Sequence, residues 1–187
     1  MAERFKILGF AGSLRKASFN RALLREASEL LPDGVEMEIF DLEGIPPFNQ
    51  DLESDLPPRV AEFKAKLRAA DAVLIATPEY NYSMPGVLKN AIDWASRPYG
   101  DNAWEDVRTA AIMGASIGML GTARAQYHLR QTCVLFDIHV VNRPEIMVTF
   151  ADSKFDDKGR LTDQKAREKI RELIENLVSL TRRLKGT

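Results

Sequence analysis

The 187-residue sequence predicts an α/β fold, a five-stranded parallel sheet with helices on both faces. Three observations predict this fold. Short apolar runs alternate with segments of helical periodicity, and strands that alternate with helices join into parallel sheets through right-handed crossovers. The clearest apolar run, residues 71–77 (DAVLIAT), is typical of a strand buried on both faces. The length fits one domain, which we expect to span residues 1–187.

The first three elements follow from local patterns. Residues 5–11 form a short apolar run that ends at a glycine, which indicates a buried strand. Residues 18–31 have an apolar helical face, and Ser18 is suited to cap it. The alternating segment 35–41 (VEMEIFD) predicts a second strand nearer the sheet edge, and the proline-rich segment 42–58 predicts a long loop.

The rest of the chain continues the alternation of helices and strands. One further helix precedes the strand at 71–77, and two helix–strand pairs and a last helix follow it. The last helix carries a continuous apolar face and ends in basic residues that complement its dipole. The predicted segments are helices 59–70, 86–96, 121–136 and 163–185, strand 108–114, and a fifth strand within 138–149.

The composition excludes several classes of protein. The 26 basic and 27 acidic residues give a net charge of -1, which disfavours a dedicated nucleic-acid binder and an acidic carrier. One cysteine excludes an internal disulfide and suggests a reducing, cytoplasmic setting, and with two histidines it leaves too few ligands for a His/Cys metal site. No run approaches the ~20 apolar residues of a membrane helix, so we expect no membrane association.

The topology indicates where a ligand would bind. Doubly wound parallel sheets commonly adopt a Rossmann-like or a flavodoxin-like order, and both bind ligands beyond the carboxyl ends of the strands. A full Rossmann domain usually has six strands and a glycine-rich first turn, whereas this chain has five predicted strands and a different turn. The loops that follow residues 11, 77 and 114 are therefore the candidate ligand-binding segments.

The first of these loops has the character of an anion site. Its sequence, GSLRKASFN (residues 12–20), offers Ser13, Ser18 and Asn20 as neutral donors at the start of a helix. Residues 12–25 contain four bases and no acid. The loop matches neither the P-loop nor the G-x-G-x-x-G pattern. The alternative interpretation is an ordinary capped turn with solvated bases.

The other two loops are suited to a planar ligand. In TPEYNYSMPG (residues 77–86), Tyr80 and Tyr82 can pack against a ring, and Ser83 is expected to cap the next helix. Tyrosines that fill the local core are an equally good interpretation of that loop alone. The third loop, GASIGMLGT (residues 114–122), is rich in small residues that let a backbone approach a ligand.

These motifs resemble those of the NAD(P)H-dependent FMN reductase family, a flavodoxin-like group that includes bacterial chromate and quinone reductases. The matching segments are GSLRKASFN, PEYNYSMPGVLKNAIDW and GASIGMLGTARAQ, and the resemblance covers nearly the whole chain. It implies a flavodoxin-like three-layer α/β/α sandwich with a five-stranded parallel sheet of order 2-1-3-4-5.

The resemblance also implies a bound FMN, with NAD(P)H as co-substrate. The residues that match the family's phosphate loop are Ser13, Arg15, Ser18, Phe19 and Asn20. Those that would line the isoalloxazine and ribityl chain are Pro78, Glu79, Tyr80, Asn81 and Tyr82, and Ser116 and its neighbours would close the other side. The family further implies a homodimer or homotetramer, with the loop at residues 45–53 reaching toward the neighbouring subunit.

The expected activity is two-electron transfer from NAD(P)H through FMN to quinones, free flavins, azo compounds or chromate. Because the cofactor carries this chemistry, no catalytic side chain is expected. His128, His139 and Cys133 are interpreted as structural residues, and Glu79 as a hydrogen-bonding loop residue. The loop at residues 97–107 either packs locally or forms a wall of the acceptor pocket or a subunit contact.

Two alternatives belong to other classes. A flavodoxin-type electron carrier would bind FMN without oxidising NAD(P)H, but dedicated carriers are strongly acidic, unlike this chain. A phospho-acceptor receiver domain needs a cluster of acids at the ends of strands one and three. Those strands end in AGS and TPE, so the cluster is missing.

Overall fold

The structure is a computed structural model that describes residues 4–186, in which there are six strands and five α-helices. Strands and helices alternate except at the last two strands, which follow each other directly. The strands are β1 (Phe5–Ala11), β2 (Val35–Phe40), β3 (Ala72–Ala76), β4 (Thr109–Ala115), β5 (His139–Val140) and β6 (Ile146–Val148). The helices are α1 (Phe19–Glu29), α2 (Pro58–Arg68), α3 (Gly86–Ala95), α4 (Ala123–Leu135) and α5 (Gln164–Lys185). Apart from the fifth strand, the bounds agree with the predicted elements to within two residues at each end.

The strands form one parallel sheet with the order β2-β1-β3-β4, followed by β5 and β6. This confirms the predicted flavodoxin-like order 2-1-3-4-5. The fifth position differs in detail from the single strand expected within 138–149, because two short strands share it. His139 pairs with Thr109 at the start of β4, and Ile146 pairs with Met113 near its end. Pro144 lies between them and has no N–H to continue the ladder.

Two apolar layers enclose the sheet. On one face, α1 and α5 pack against side chains that include Ile7, Leu74 and Met113. On the other face, α2, α3 and α4 pack against a set that includes Phe10 and Ile75. Successive residues of a strand point to opposite faces, so an almost wholly apolar strand such as β3 serves both layers at once. The result is the predicted α/β/α sandwich.

The ends of the helices have local causes. The Ser18 hydroxyl accepts hydrogen bonds from the N–H groups of Asn20 and Arg21, so Ser18 caps α1 as predicted. Asp163 caps α5 by accepting from the Ala166 N–H, and Gly186, with φ 74°, ends that helix in the left-handed conformation. Among residues 4–186, no helix has the length and apolar character needed to cross a bilayer.

Candidate functional site

Three loops meet at the carboxyl edge of the sheet. Because β1, β3 and β4 are neighbours in the sheet, the segments that follow them, 12–18, 77–85 and 116–122, are neighbours too. This edge is where doubly wound sheets bind their ligands. The structure therefore brings together the three segments that the sequence singled out.

The first loop, residues 12–18, presents unpaired donors and cations. Among residues 4–186, the N–H groups of Leu14, Lys16 and Ala17 have no acceptor, and the side chains of Arg15 and Lys16 have no ion-pair partner. The buried Ser13 hydroxyl lies 3.3 Å from the Arg15 nitrogen and accepts its hydrogen bond. A run of free N–H groups before a helix, flanked by positive charge, is an anion-binding arrangement.

Not all four bases of residues 12–25 are free for a ligand. Arg21 is paired with Asp41 at 2.5 Å, whereas Arg25 lies further along α1 with an exposed side chain. Arg15 and Lys16 are thus the cations of the loop itself. The local charge excess read from the sequence is real, but only half of it lies at the loop.

Two of the predicted phosphate residues point into the protein. The Asn20 amide donates to the Ala115 carbonyl oxygen (3.0 Å) and accepts from the Ala115 N–H (2.9 Å), and the residue is 3% exposed. The half-buried Phe19 packs its ring against Phe155, with centroids 5.1 Å apart. Both side chains therefore position the loop from behind. The Asn20 backbone N–H already donates to the Ser18 hydroxyl, so of the two backbone N–H groups only that of Phe19 is left to face a ligand.

The second loop, residues 77–85, contains a tight turn. Tyr80 and Ser83 form an isolated antiparallel bridge, with both N–H···O distances 3.0 Å. The Tyr80 hydroxyl lies 3.4 Å from the Ser13 Oγ, which links this loop to the first one. The expectation that Ser83 caps α3 is wrong, because Pro85 occupies the cap position without a side-chain hydrogen bond. The Ser83 hydroxyl instead hydrogen bonds to the Nδ1 of His128 on α4 (2.9 Å).

Glu79 joins the second loop to α4. Its side chain is only 7% exposed, and its carboxylate accepts from the backbone N–H groups of Arg124 (3.1 Å) and Ala125 (3.4 Å) and from the Arg124 guanidinium. The hydrogen bond that the Arg124 guanidinium donates to Glu79 raises the pKa of Arg124. Both carboxylate oxygens are engaged, which agrees with the hydrogen-bonding role expected for Glu79.

The third loop, residues 116–122, completes a cleft of about 430 Å³. Ser116 accepts from the Gly118 N–H at 3.1 Å and is half-buried at the bottom of the loop. A Cβ at Gly114 would lie 1.9 Å from the Thr122 hydroxyl oxygen, so only glycine allows this close approach. The cleft is lined by Glu79, Asn81, Tyr82, Ser116, Gly118, Met119, Leu120, Gly121, Thr122 and Arg124.

Sequence reasoning missed part of this lining, above all Arg124. A signal for Arg124 was present, because a basic side chain in the first turn of a helix opposes the helix dipole unless an acid pairs with it. Met119 and Leu120 are exposed apolar side chains, but nothing in a run of loop residues shows which way a side chain will face.

A larger groove lies elsewhere. It measures about 650 Å³ and runs along β5 between α4 and α5, with basic lining residues that include Arg130, Arg143 and Arg183. It lies on the outer edge of the sheet, away from the three loops, and includes none of the predicted site residues. Position in the topology, rather than size, identifies the candidate site.

The segment at residues 97–107 is held by packing. The Trp104 ring is buried and donates from its Nε1 to the Ile92 carbonyl oxygen at 3.1 Å. The buried Lys64 ammonium binds the Asp101 carboxylate at 2.6 Å, and that hydrogen bond lowers the pKa of Asp101. Tyr99 is different, since its side chain is 86% exposed and lies beneath the Arg97 guanidinium. Local packing thus explains Trp104 but not Tyr99.

Thiol and metal chemistry have no support in this region. Cys133 is buried on α4, and burial raises the pKa of its thiol to about 11, so the thiol stays protonated at neutral pH. Within residues 4–186, no group of three or more His, Cys, Asp or Glu side chains is arranged to hold a metal ion.

The cleft residues fit the FMN that the sequence implied. Free N–H donors and two cations at loop 12–18 suit a phosphate, and the adjoining cleft is within the range of about 300–1,000 Å³ that small-ligand sites occupy. The exposed rings of Tyr80 and Tyr82 provide apolar surface for a planar group.

Comparisons with known proteins decide the family. The sequence profile of the NADPH-dependent FMN reductase family matches residues 5–153. An NAD(P)H-dependent FMN reductase of Pseudomonas aeruginosa is 53% identical over the full length of both chains. The chain belongs to this family.

Other members support the same assignment. The NAD(P)H:quinone oxidoreductase of Solanum tuberosum is 45% identical, covering 97% of this chain and 95% of its own. The solved structure of FerB, a flavoenzyme NAD(P)H:(acceptor) oxidoreductase from Paracoccus denitrificans, matches with a TM-score of 0.87 and 34% identity, over 96% of this chain and 98% of its own. Family membership confirms the predicted oxidoreductase class and its use of FMN with NAD(P)H, and does not favour the electron-carrier alternative.

We predict that Asn20→Ala lowers the free energy of unfolding by about 2–4 kcal/mol, because it leaves the buried N–H and carbonyl of Ala115 without partners. Urea unfolding followed by circular dichroism measures the loss. Asn49→Ala is the matched control, since Asn49 is exposed and accepts one hydrogen bond, from the Asp51 N–H (3.0 Å). Its expected cost is about 1 kcal/mol or less. Equal losses in the two variants would contradict the role assigned to Asn20.

Proposed function

We propose that this protein is a two-electron reductase that uses NAD(P)H and bound FMN to reduce quinones. One observation supports the proposal most: an anion-binding loop and a cleft flanked by aromatic side chains lie together at the carboxyl edge of the sheet. The names of the relatives point to the acceptor, since they include NAD(P)H:quinone oxidoreductase and a 2-hydroxy-1,4-benzoquinone reductase of Burkholderia, 41% identical. The functional unit is proposed to be a single domain, residues 1–187.

The phosphate of FMN is proposed to bind at loop 12–20. Arg15 supplies a cation that no acid within residues 4–186 pairs with, and Ser13 and Ser18 place hydroxyls at the ends of the loop. The free N–H groups between them add donors that a phosphate oxygen accepts. Phe19 and Asn20 contribute mainly by holding this loop in position, because their side chains contact Phe155 and Ala115.

The ring and ribityl chain of FMN are proposed to lie in the cleft. When bound, FMN supplies the redox chemistry by accepting a hydride from NAD(P)H and passing two electrons to the acceptor. Glu79, Asn81 and Tyr82 line the cleft on one side and Ser116 on the other. Pro78 and Tyr80 belong to the same loop and are proposed to contact FMN beside this lining. Because both oxygens of the Glu79 carboxylate are engaged, the role proposed for these residues is to bind, orient and shield.

We propose that the two substrates bind in turn at the cleft. Tyr82 is 69% exposed and Met119 is 73% exposed, so large apolar side chains at the cleft are open to solvent. A planar nucleotide ring and a planar acceptor can therefore occupy the same space in turn, as a ping-pong mechanism requires. Free flavins and azo compounds, which also have planar rings, are proposed as further acceptors on the same basis. Chromate is a small tetrahedral anion, and we propose it as an acceptor because the cleft is open to solvent.

This function is tested by steady-state oxidation of NADPH and NADH by the FMN-loaded protein, with a benzoquinone as acceptor. We expect quinone-dependent turnover, with the parallel lines in double-reciprocal plots that mark a ping-pong reaction. Protein that binds FMN but oxidises neither nucleotide above the enzyme-free rate would be an electron carrier instead. Protein that binds no FMN would contradict both functions.

The phosphate assignment predicts that Arg15→Ala weakens FMN binding roughly tenfold or more, since it removes a charge-assisted hydrogen bond. Quenching of flavin fluorescence on titration with apoprotein measures the dissociation constant. Arg171→Ala, at an exposed position of α5, makes the same change in net charge away from the loop and should leave binding unchanged. An identical affinity in wild type and Arg15→Ala would refute the assignment.

We also propose a cytoplasmic homodimer or homotetramer. Tyr99, Val134 and Leu135 are 78–86% exposed, and two of them flank a cleft of about 470 Å³ that also includes Phe48 from the 45–53 loop. Exposed apolar groups that cluster in this way are typical of a surface that becomes buried when subunits associate. The lone cysteine suits a reducing compartment.

Light scattering after size exclusion should therefore give two or four times the chain mass of 21.0 kDa. Leu135→Glu should lower that mass, because it places a charge in the apolar contact, whereas Leu184→Glu at the end of α5 should not. A monomeric wild type, or an unchanged mass for Leu135→Glu, would argue against this surface.

A further inference from the structure

The turn that joins β3 to α3 holds a bulky residue in an unfavourable conformation. Asn81 (φ 50°) and Tyr82 (φ 70°) are both left-handed, and the Tyr80–Ser83 bridge closes around them. Two such residues in succession make a type I′ turn, which favours Asn at the first central position and Gly at the second. Asn81 suits its position, whereas Tyr82 does not. The backbone strain at Tyr82 must therefore be compensated by its surroundings.

The contact that compensates for it comes from α4. The Arg124 guanidinium lies over the Tyr82 ring, with Cζ 3.6 Å from the ring centroid. Because Tyr82 is 69% exposed, this cation–π contact supports a side chain that is otherwise largely open to solvent. Without it, little would keep a tyrosine ring at the mouth of the cleft.

Arg124 is itself fixed by Glu79. The guanidinium binds the Glu79 carboxylate, whose other oxygen accepts from the Arg124 and Ala125 N–H groups. These are first-turn donors of α4, and Thr122 at the N-cap position, with φ 75°, offers them no side-chain acceptor. Glu79 thus caps a helix from a loop 45 residues earlier and at the same time orients the arginine.

We propose that Glu79 and Arg124 are positioning residues that hold the Tyr82 ring over the cleft, where it contacts the FMN ring system. The proposal rests on the function proposed above and deepens it. Tyr82 makes the contact, and the other two residues act through it. The strain in the turn is kept because glycine at this position, although suited to the turn, would provide no ring.

The test is a double-mutant cycle on FMN affinity, measured by flavin fluorescence quenching, with urea unfolding of each apoprotein in parallel. Tyr82→Gly should weaken FMN binding roughly five- to tenfold, because it removes the aromatic contact. Its unfolding midpoint should stay the same or rise, because Gly suits the left-handed position. Lost affinity with retained stability is a signature that a purely structural tyrosine would not give.

Arg124→Gln should weaken FMN binding to a similar degree. The double variant should bind within about twofold of Tyr82→Gly, because Arg124 has no effect once the ring is gone. Tyr82→Phe keeps the ring and should restore binding to within about twofold of wild type. The control is Arg130→Gln, also on α4, whose guanidinium binds Asn142 and the Val141 carbonyl oxygen away from the cleft. It should leave affinity unchanged.

Two outcomes would overturn the proposal: an unchanged FMN affinity in Tyr82→Gly, or effects of Arg124→Gln and Tyr82→Gly that simply multiply in the double variant. The first would show that the ring makes no contact with FMN, and the second that Arg124 acts independently of Tyr82. Failure of wild-type protein to bind FMN would instead refute the proposed function, so the two failures are distinguishable.

Discussion

The hydrogen bonds between the Asn20 amide and the backbone of Ala115 set the geometry of the site. Just beyond β3, the Thr77 N–H donates to the Met113 carbonyl oxygen of β4, and this hydrogen bond ends the pairing of the two strands. Two residues further on, the N–H and carbonyl of Ala115 point to the same side and find no strand there. The Asn20 side chain takes the place of the missing peptide group. The start of α1 is thereby fixed against the end of β4, and the first and third loops against each other.

Comparable links fix the second loop. Ser13 meets Tyr80 through their hydroxyls, and the Glu79 carboxylate reaches the first turn of α4. Polar side chains therefore tie the second loop to the first loop and to the helix that follows the third, in a region where the sheet no longer supplies a ladder. The buried polar side chains hold the loops in place, which explains why so few of them lie on the cleft surface. Backbone N–H groups and exposed rings are left to contact a ligand.

The elements of the fold could be predicted because each rests on a local pattern, such as the apolar run of β3 or the Ser18 cap of α1. The loop contacts could not. Asn20 lies 95 residues from Ala115, and Glu79 lies 45 from Arg124, so no local pattern connects them. Ser83 shows how a local rule fails, because its hydroxyl is drawn to His128 rather than to α3. The family resemblance implied the residues proposed for the site, but not which of their side chains point into the protein instead.

A site that relies on a bound flavin needs geometry more than reactive side chains. Cys133 is buried with a raised thiol pKa, and Glu79 has both oxygens engaged, so neither is available for proton or thiol chemistry. What the protein can adjust is where a ring, a phosphate and an acceptor sit relative to one another. The left-handed Tyr82 is the clearest evidence of that requirement, since free energy is given up in the turn to keep a ring at the cleft. Such strain persists only where several contacts hold it, and at this site α4 provides them through Arg124 and His128.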